Sequence, residues 1–124
     1  MSYTTYKFLH ILGILVVFMA WGALAIYRFS GENKLGPSKG TFRLIMLTHG
    51  LGLVLALIAG FGLLARLGIH GQWPSWVLIK LGIWLVLGAG VILPKRFPKL
   101  LKAWWLGLIS LASLALYLVI YKPF

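Results

Sequence analysis

Four runs of apolar residues, Phe8 to Tyr27, Leu44 to Ala65, Trp76 to Leu93 and Trp104 to Ile120, account for most of this 124-residue chain. Each is long enough to cross a bilayer as a helix, which takes roughly 17 to 25 residues. Few folds are open to such a chain. In hydrocarbon every backbone N–H and C=O must be satisfied within the protein, and only helices and closed barrels achieve that. The connections SGENKLGPSKG, RLGIHGQWPS and PKRFPKLLK are short and carry the glycines, prolines and charges. Successive helices are therefore expected to be antiparallel neighbours. The expected fold class is all-α: an integral membrane four-helix bundle, up-down-up-down, forming one transmembrane domain over residues 1–124 with helices at about 8–27, 44–65, 76–93 and 104–120. Charged residues make up only 10% of the chain, against about 25% in soluble domains, which points the same way.

The first run ends near Ala23-Leu24-Ala25, which has the look of a signal cleavage site. Its apolar stretch is too long for a signal core and is preceded by one positive side chain, Lys7, so a retained helix is expected. Orientation follows from the basic residues. Arg28, Lys34, Lys39, Arg43, Lys95, Arg96, Lys99 and Lys102 flank one side of the bundle, whereas Lys7, Arg66 and Lys122 flank the other. The positive-inside rule then places both termini outside the cytoplasm of a bacterial inner membrane. The net charge of +11 lies in membrane-flanking loops, where it serves topology and attraction to anionic lipid. It does not form the basic stripe of a nucleic-acid binder. There is no cysteine, which excludes disulfides, thiol catalysis and thiolate metal sites. Trp73, Trp76, Trp104 and Trp105, with Tyr3, Tyr6, Tyr117 and Tyr121, stand near run ends and read as interfacial belts.

Helices in lipid pack where small residues let backbones approach. In the second run Gly52, Ala56 and Gly60 recur every fourth residue, a stripe expected to face the bundle, with His49 one turn away on the same side. The fourth run offers Gly107, Ser110 and Ser113 as a second narrow face.

Lys80 interrupts the apolar run WPSWVLIKLGIWLVLG. A lysine at the centre of a spanning helix costs about 2.5 to 3.5 kcal/mol, less where it reaches an interface. Roughly four to six residues into its run, Lys80 lies about 6 to 9 Å below the boundary. One reading is a lysine snorkelling between Trp76 and Trp84. The other starts from depth: His10, about 4 Å below the same surface, can meet Lys80. The one acid of the chain, Glu32, falls in a loop on the opposite side. A buried cation without a protein anion invites a ligand that carries one. Haem is such a ligand, with His10 as an imidazole ligand to iron, Lys80 as a second ligand or propionate partner, and Gly13, Gly60 and Gly62 at similar depth leaving room for a flat ring. His49 is too far from the other surface to share that haem. It is expected to bond Ser110 or Thr48, with a His49–Met19 haem site as an alternative. His70, in a short loop, reads as solvated, or as an extra ligand or proton entry.

KFLHILG at Lys7 to Gly13, Tyr27-Arg28 closing the first run, and W-x-x-x-K-L at Trp76 to Leu81 resemble the small four-helix haem-associated bacterial membrane proteins. These are the HemJ-type protoporphyrinogen oxidases and the SirB-like and CopD-like proteins. The resemblance implies bound haem and assigns the important first-helix histidine and third-helix lysine to His10 and Lys80. The expected function is binding of b-type haem or a related porphyrin for electron transfer or tetrapyrrole handling, with a HemJ-like oxidoreductase activity as one form of it. No complete catalytic set is visible in the sequence. A cofactor-free accessory or assembly subunit, docking through the Gly52–Ala56–Gly60 stripe onto a larger membrane complex or another copy, is the alternative. A small-molecule or proton channel past His49 is a third.

Overall fold

The computed structural model describes residues 2–29, 39–69, 71–92 and 101–121. Among them the chain is all-helical, with α1 over Tyr3–Phe29, α2 over Lys39–Arg66, α3 over Ser75–Ala89 and α4 over Leu101–Tyr121. The four form a ring in which α1 touches α2 and α4, and α3 touches α2 and α4. This is the four-helix bundle expected from the sequence. α1, α2 and α4 are long and apolar enough to cross a membrane. Lys34, Lys95, Arg96, Lys99 and Glu32, which carry the orientation and charge arguments, lie outside the described residues, as does His70.

The helices run past the apolar stretches at most ends, because hydropathy marks only the hydrocarbon-spanning part while helical hydrogen bonding continues into the interface. α1 starts where Ser2 caps it: the Thr5 N–H donates to Ser2 Oγ at 3.2 Å, an N-cap that satisfies one of the orphaned donors. α2 ends in a Schellman turn. The Ile69 N–H donates to the Leu64 carbonyl and the Gly68 N–H to the Ala65 carbonyl, with Gly68 at φ +74°, a backbone region that glycine enters without strain.

The third span differs from expectation. Its α-helix stops at Ala89 and tightens into a 3₁₀ turn over Gly90–Ile92, so the α-helical part is 15 residues, about 22 Å at 1.5 Å per residue. Three 3₁₀ residues add about 6 Å, which brings the segment close to the roughly 30 Å hydrocarbon core. Gly88 and Gly90 weaken the helix here. Gly90 itself is needed for packing, since a Cβ on it would meet Trp104 at 3.0 Å and Trp21 at 3.2 Å.

Packing is inside-out relative to a soluble bundle. Leu44, Leu47, Leu51, Val54 and Ile58 form an exposed stripe on α2, while Gly52, Ala56 and Ala59 on the opposite side are buried. Large apolar side chains outward and small ones inward is the arrangement a hydrocarbon solvent selects. The small face of α2 packs on α1 in antiparallel register, pairing His10 with Gly60, Gly13 with Ala56 and Val17 with Gly52, and Trp21 with His49. A Cβ on Gly13 would come within 2.6 Å of the Ala56 backbone nitrogen and 2.9 Å of the Gly52 carbonyl oxygen. The Gly52–Ala56–Gly60 stripe is thus consumed within the chain and is not a surface for docking another protein. A side chain at Gly13 should force α1 and α2 apart, whereas Gly22 has open space around it. Gly13→Leu is expected to lower stability by about 1 to 3 kcal/mol or more and Gly22→Leu to stay within about 0.5 kcal/mol. Unfolding of the two variants in detergent micelles measures the difference, and equal losses would refute the close backbone contact.

Candidate functional site

Four indole or imidazole N–H groups reach from one helix to a backbone carbonyl of another. The first is His10, whose Nδ1 lies 2.7 Å from the Ala56 carbonyl oxygen. A carbonyl only accepts, so Nδ1 carries a proton, and in the neutral ring Nε2 keeps its lone pair. Gly60, one turn beyond Ala56, makes the slot for the ring: a Cβ there would stand 3.1 Å from Cε1 and 3.2 Å from Nδ1. The pair Ala56 and Gly60 therefore supplies both an acceptor and the space to reach it.

Lys80 stands on the third helix facing the same space. Its Nζ lies 4.9 Å from the centroid of the Trp76 ring, one turn toward the start of α3, a cation–π contact worth about 0.5 to 2 kcal/mol depending on desolvation. Trp84, one turn the other way, does not take part in this. Its indole N–H donates to the Leu53 carbonyl of α2 at 2.9 Å. The lysine therefore leans toward the membrane surface, as snorkelling requires. The structure brings His10 and Lys80 to the wall of one cavity of about 170 Å³, with Tyr3, Lys7, Phe61 and Trp76 toward its mouth and Gly60 beside the histidine. The cavity is open on one side, so its contents meet the surrounding solvent or lipid.

Of the three glycines expected to make room for a flat ring, only Gly60 borders this cavity. Gly13 is in contact with the α2 backbone, and Gly62 lies against the ring of Tyr6. Both serve helix and ring packing, because the backbones approach too closely for a ligand to share the space.

His49 belongs elsewhere. Seven residues before Ala56 on α2, it is displaced from His10 by about 10 Å along the bundle. It is 4% exposed. Its Nε2 donates to the Leu87 carbonyl at 2.9 Å, and the same oxygen accepts the Trp21 indole N–H at 2.9 Å. This corrects the expectation of a bond to Ser110 or Thr48. Those hydroxyls donate to carbonyls one turn back in their own helices, Leu106 and Leu44, which a serine or threonine in a helix reaches without any neighbour. Met19 is 63% exposed and faces away from the interior, so it is not placed to share a haem with His49. The Nε2 of His49 is engaged with the Leu87 carbonyl.

The Leu87 carbonyl is among the last of α3, the group of acceptors that a helix end leaves short of partners. Two ring N–H donors from two other helices complete it, and they draw α1, α2 and α3 together at this level. Trp21, 1% exposed, is the centre of the core, stacked on Trp104 at 5.5 Å and edge-on to His49 at 6.2 Å. Of the tryptophans expected in interfacial belts, Trp104 and Trp76 are half-buried, while Trp73 and Trp105 are exposed. Trp21 and Trp84 carried a signal in the sequence, since an indole N–H in the middle of an apolar run must find an acceptor.

Among the described residues no three His, Cys, Asp or Glu side chains converge on one point. The chemistry available at the cavity is that of one imidazole, the ammonium groups of Lys80 and Lys7, the Tyr3 phenol, aromatic faces and apolar walls. Sharing of the Leu87 carbonyl makes a testable non-additivity. His49→Phe or Trp21→Phe alone leaves one donor in place and is expected to cost about 1 kcal/mol. The double variant strips the carbonyl of both and should lose at least about 1 kcal/mol more than the sum. Unfolding free energies of the four proteins in the cycle decide it; strictly additive losses would mean that the two bonds act independently. Comparison of the chain with protein-family models, with curated proteins and with solved structures gives no match.

Proposed function

We propose that this membrane bundle holds b-type haem or a related porphyrin at the His10–Lys80 cavity and serves electron transfer or tetrapyrrole handling in a bacterial inner membrane. The observation that carries this reading is the His10 ring. Its Nδ1–H is fixed on the Ala56 carbonyl, the kind of outer hydrogen bond that orients an imidazole ligand and raises its basicity, and Nε2 is left able to ligate iron. Lys80, on the opposite wall, is placed to ligate when neutral or to pair with a propionate when charged. When bound, haem would supply one-electron chemistry; the protein's part is to hold, orient and partly shield it.

The volume limits how the group is held. About 170 Å³ is below the roughly 300 to 1,000 Å³ of pockets that enclose ligands of drug size. A macrocycle would therefore be held at the open mouth by His10 and Lys80, beside Trp76 and Phe61, and would not be enclosed by the bundle. Purified protein from haem-supplemented cells is expected to show a stoichiometric Soret band and reduction-sensitive visible bands, lost in His10→Ala and weakened or shifted in Lys80→Leu. A pigment retained at full stoichiometry in both variants would sink the assignment.

A second reading, a cofactor-free accessory subunit or homo-oligomer, is favoured by α4. Gly107 has open space where a Cβ would stand, and Ser110 and Ser113 are exposed with their hydroxyls satisfied inside the helix. The small face that remains available for another helix is therefore on α4, not on α2. Single-cysteine variants of this cysteine-free chain test it together with orientation. On the second reading Gly107→Cys forms crosslinks in native membranes, and exclusively monomeric Gly107→Cys counts against it. Labelling of Ser2→Cys by a membrane-impermeant maleimide in intact spheroplasts is expected from termini outside the cytoplasm.

A further inference from the structure

Adjoining the cavity at the mouth is a second space of about 80 Å³, lined by residues of all four helices and itself open on one side. His10, Ala56, Lys80, Trp84 and Val119 line both spaces, so these residues form the partition between them. The inner wall is otherwise apolar and drawn from the core, with Val17, Ile83 and Leu87 buried and Phe18 and Ala115 packed against that core.

The N–H groups at the partition are directed to partners of their own. The His10 Nδ1–H is on the Ala56 carbonyl and the Trp84 indole N–H on the Leu53 carbonyl. The Lys80 ammonium sits over Trp76, a residue of the outer cavity and not of the inner one. That contact draws the ammonium toward the outer side of the partition. A buried water needs two to four polar partners, and apolar cavities that lack them stay dry and accept apolar guests; a cavity of about 150 Å³ takes benzene or xenon. At about half that volume, the chamber is too small for benzene but leaves room for a single xenon atom or a diatomic molecule.

We infer that the inner chamber is a dry binding site for an apolar molecule of dioxygen size, admitted from the outer cavity past the side chains of His10 and Lys80. Such molecules partition into hydrocarbon, so the membrane itself supplies the guest. The site is independent of the porphyrin reading, since it uses His10 and Lys80 as walls and not as ligands.

Xenon is the probe. The full-length protein, haem-free and carrying labelled Ile, Leu, Val and Ala methyl groups in lipid nanodiscs, is followed by NMR under increasing xenon pressure. Saturable shifts are expected at Val17, Ile83, Leu87 and Ala115, and not at the outer-cavity residues Leu57 and Leu63. Ala115→Leu, which fills the chamber, should abolish the saturable component; Ile14→Phe fills it from the other side should the first variant fail to fold. Shifts that grow linearly with pressure and match those of lipid-facing Leu47 and Leu51 would overturn the inference, since they report xenon dissolved in lipid. Acyl-chain contacts to the Ile83 methyl without a xenon response would also overturn it, by placing a lipid tail in the chamber.

Discussion

The absence of side chains at Gly13 and Gly52 governs the arrangement of this bundle. Helices in hydrocarbon gain nothing by hiding apolar surface from one another, so association rests on how closely backbones approach. Here α1 and α2 meet with a glycine from each helix and Ala56 between them. That contact sets their register, and the register delivers His10 to the Ala56 carbonyl and to the slot at Gly60. A bulkier residue at either contact would move the imidazole away from its acceptor. The orientation of the candidate ligand is therefore a consequence of helix packing and not of the residues around the cavity.

From that pair the bundle divides along its axis. At the level of Trp21 it is tightly packed, with a stacked indole pair, an edge-on imidazole and a carbonyl with two ring donors. Toward the start of α1 it is hollow, with two connected cavities around His10 and Lys80. The packed level can hold the ends of α1, α2 and α3 together while the hollow level stays open, because side-chain donors to backbone carbonyls fix helix positions without filling the interior elsewhere. Four such bonds, from His10, Trp21, His49 and Trp84, link three helices. α4 is held more loosely, with only 11% of its spanning window buried, and it presents its small residues outward.

Charge follows the same division. Lys80 is tolerated in the membrane because its stem lies along the cavity wall and its ammonium meets an indole face one turn nearer the surface. Lys7 is at the mouth of that cavity too. The hollow end is thus cationic as well as apolar, which suits a flat or amphiphilic guest bearing an anionic edge. Among the described residues, the other end binds its histidine into the backbone through the Leu87 carbonyl.

Read alone, the amino-acid sequence determined the number of helices, their antiparallel succession, the inward face of Gly52, Ala56 and Gly60, and the separation of His49 from the level shared by His10 and Lys80. All of these follow from position along the chain, since a helix rises about 1.5 Å per residue and the apolar runs mark where hydrocarbon begins and ends. Only the tertiary structure decided which ring nitrogen meets which carbonyl, that Trp76 and Trp104 are half-buried, that α1 consumes the stripe on α2, and that Gly13 and Gly62 pack while Gly60 borders a cavity. Those outcomes depend on the rotation of each helix about its axis and on distances between axes. A helix that is apolar all round carries no amphipathic stripe to announce that rotation. It is set instead by glycine contacts and by the search of buried N–H groups for acceptors on neighbouring helices, and so emerges only when all four helices are together.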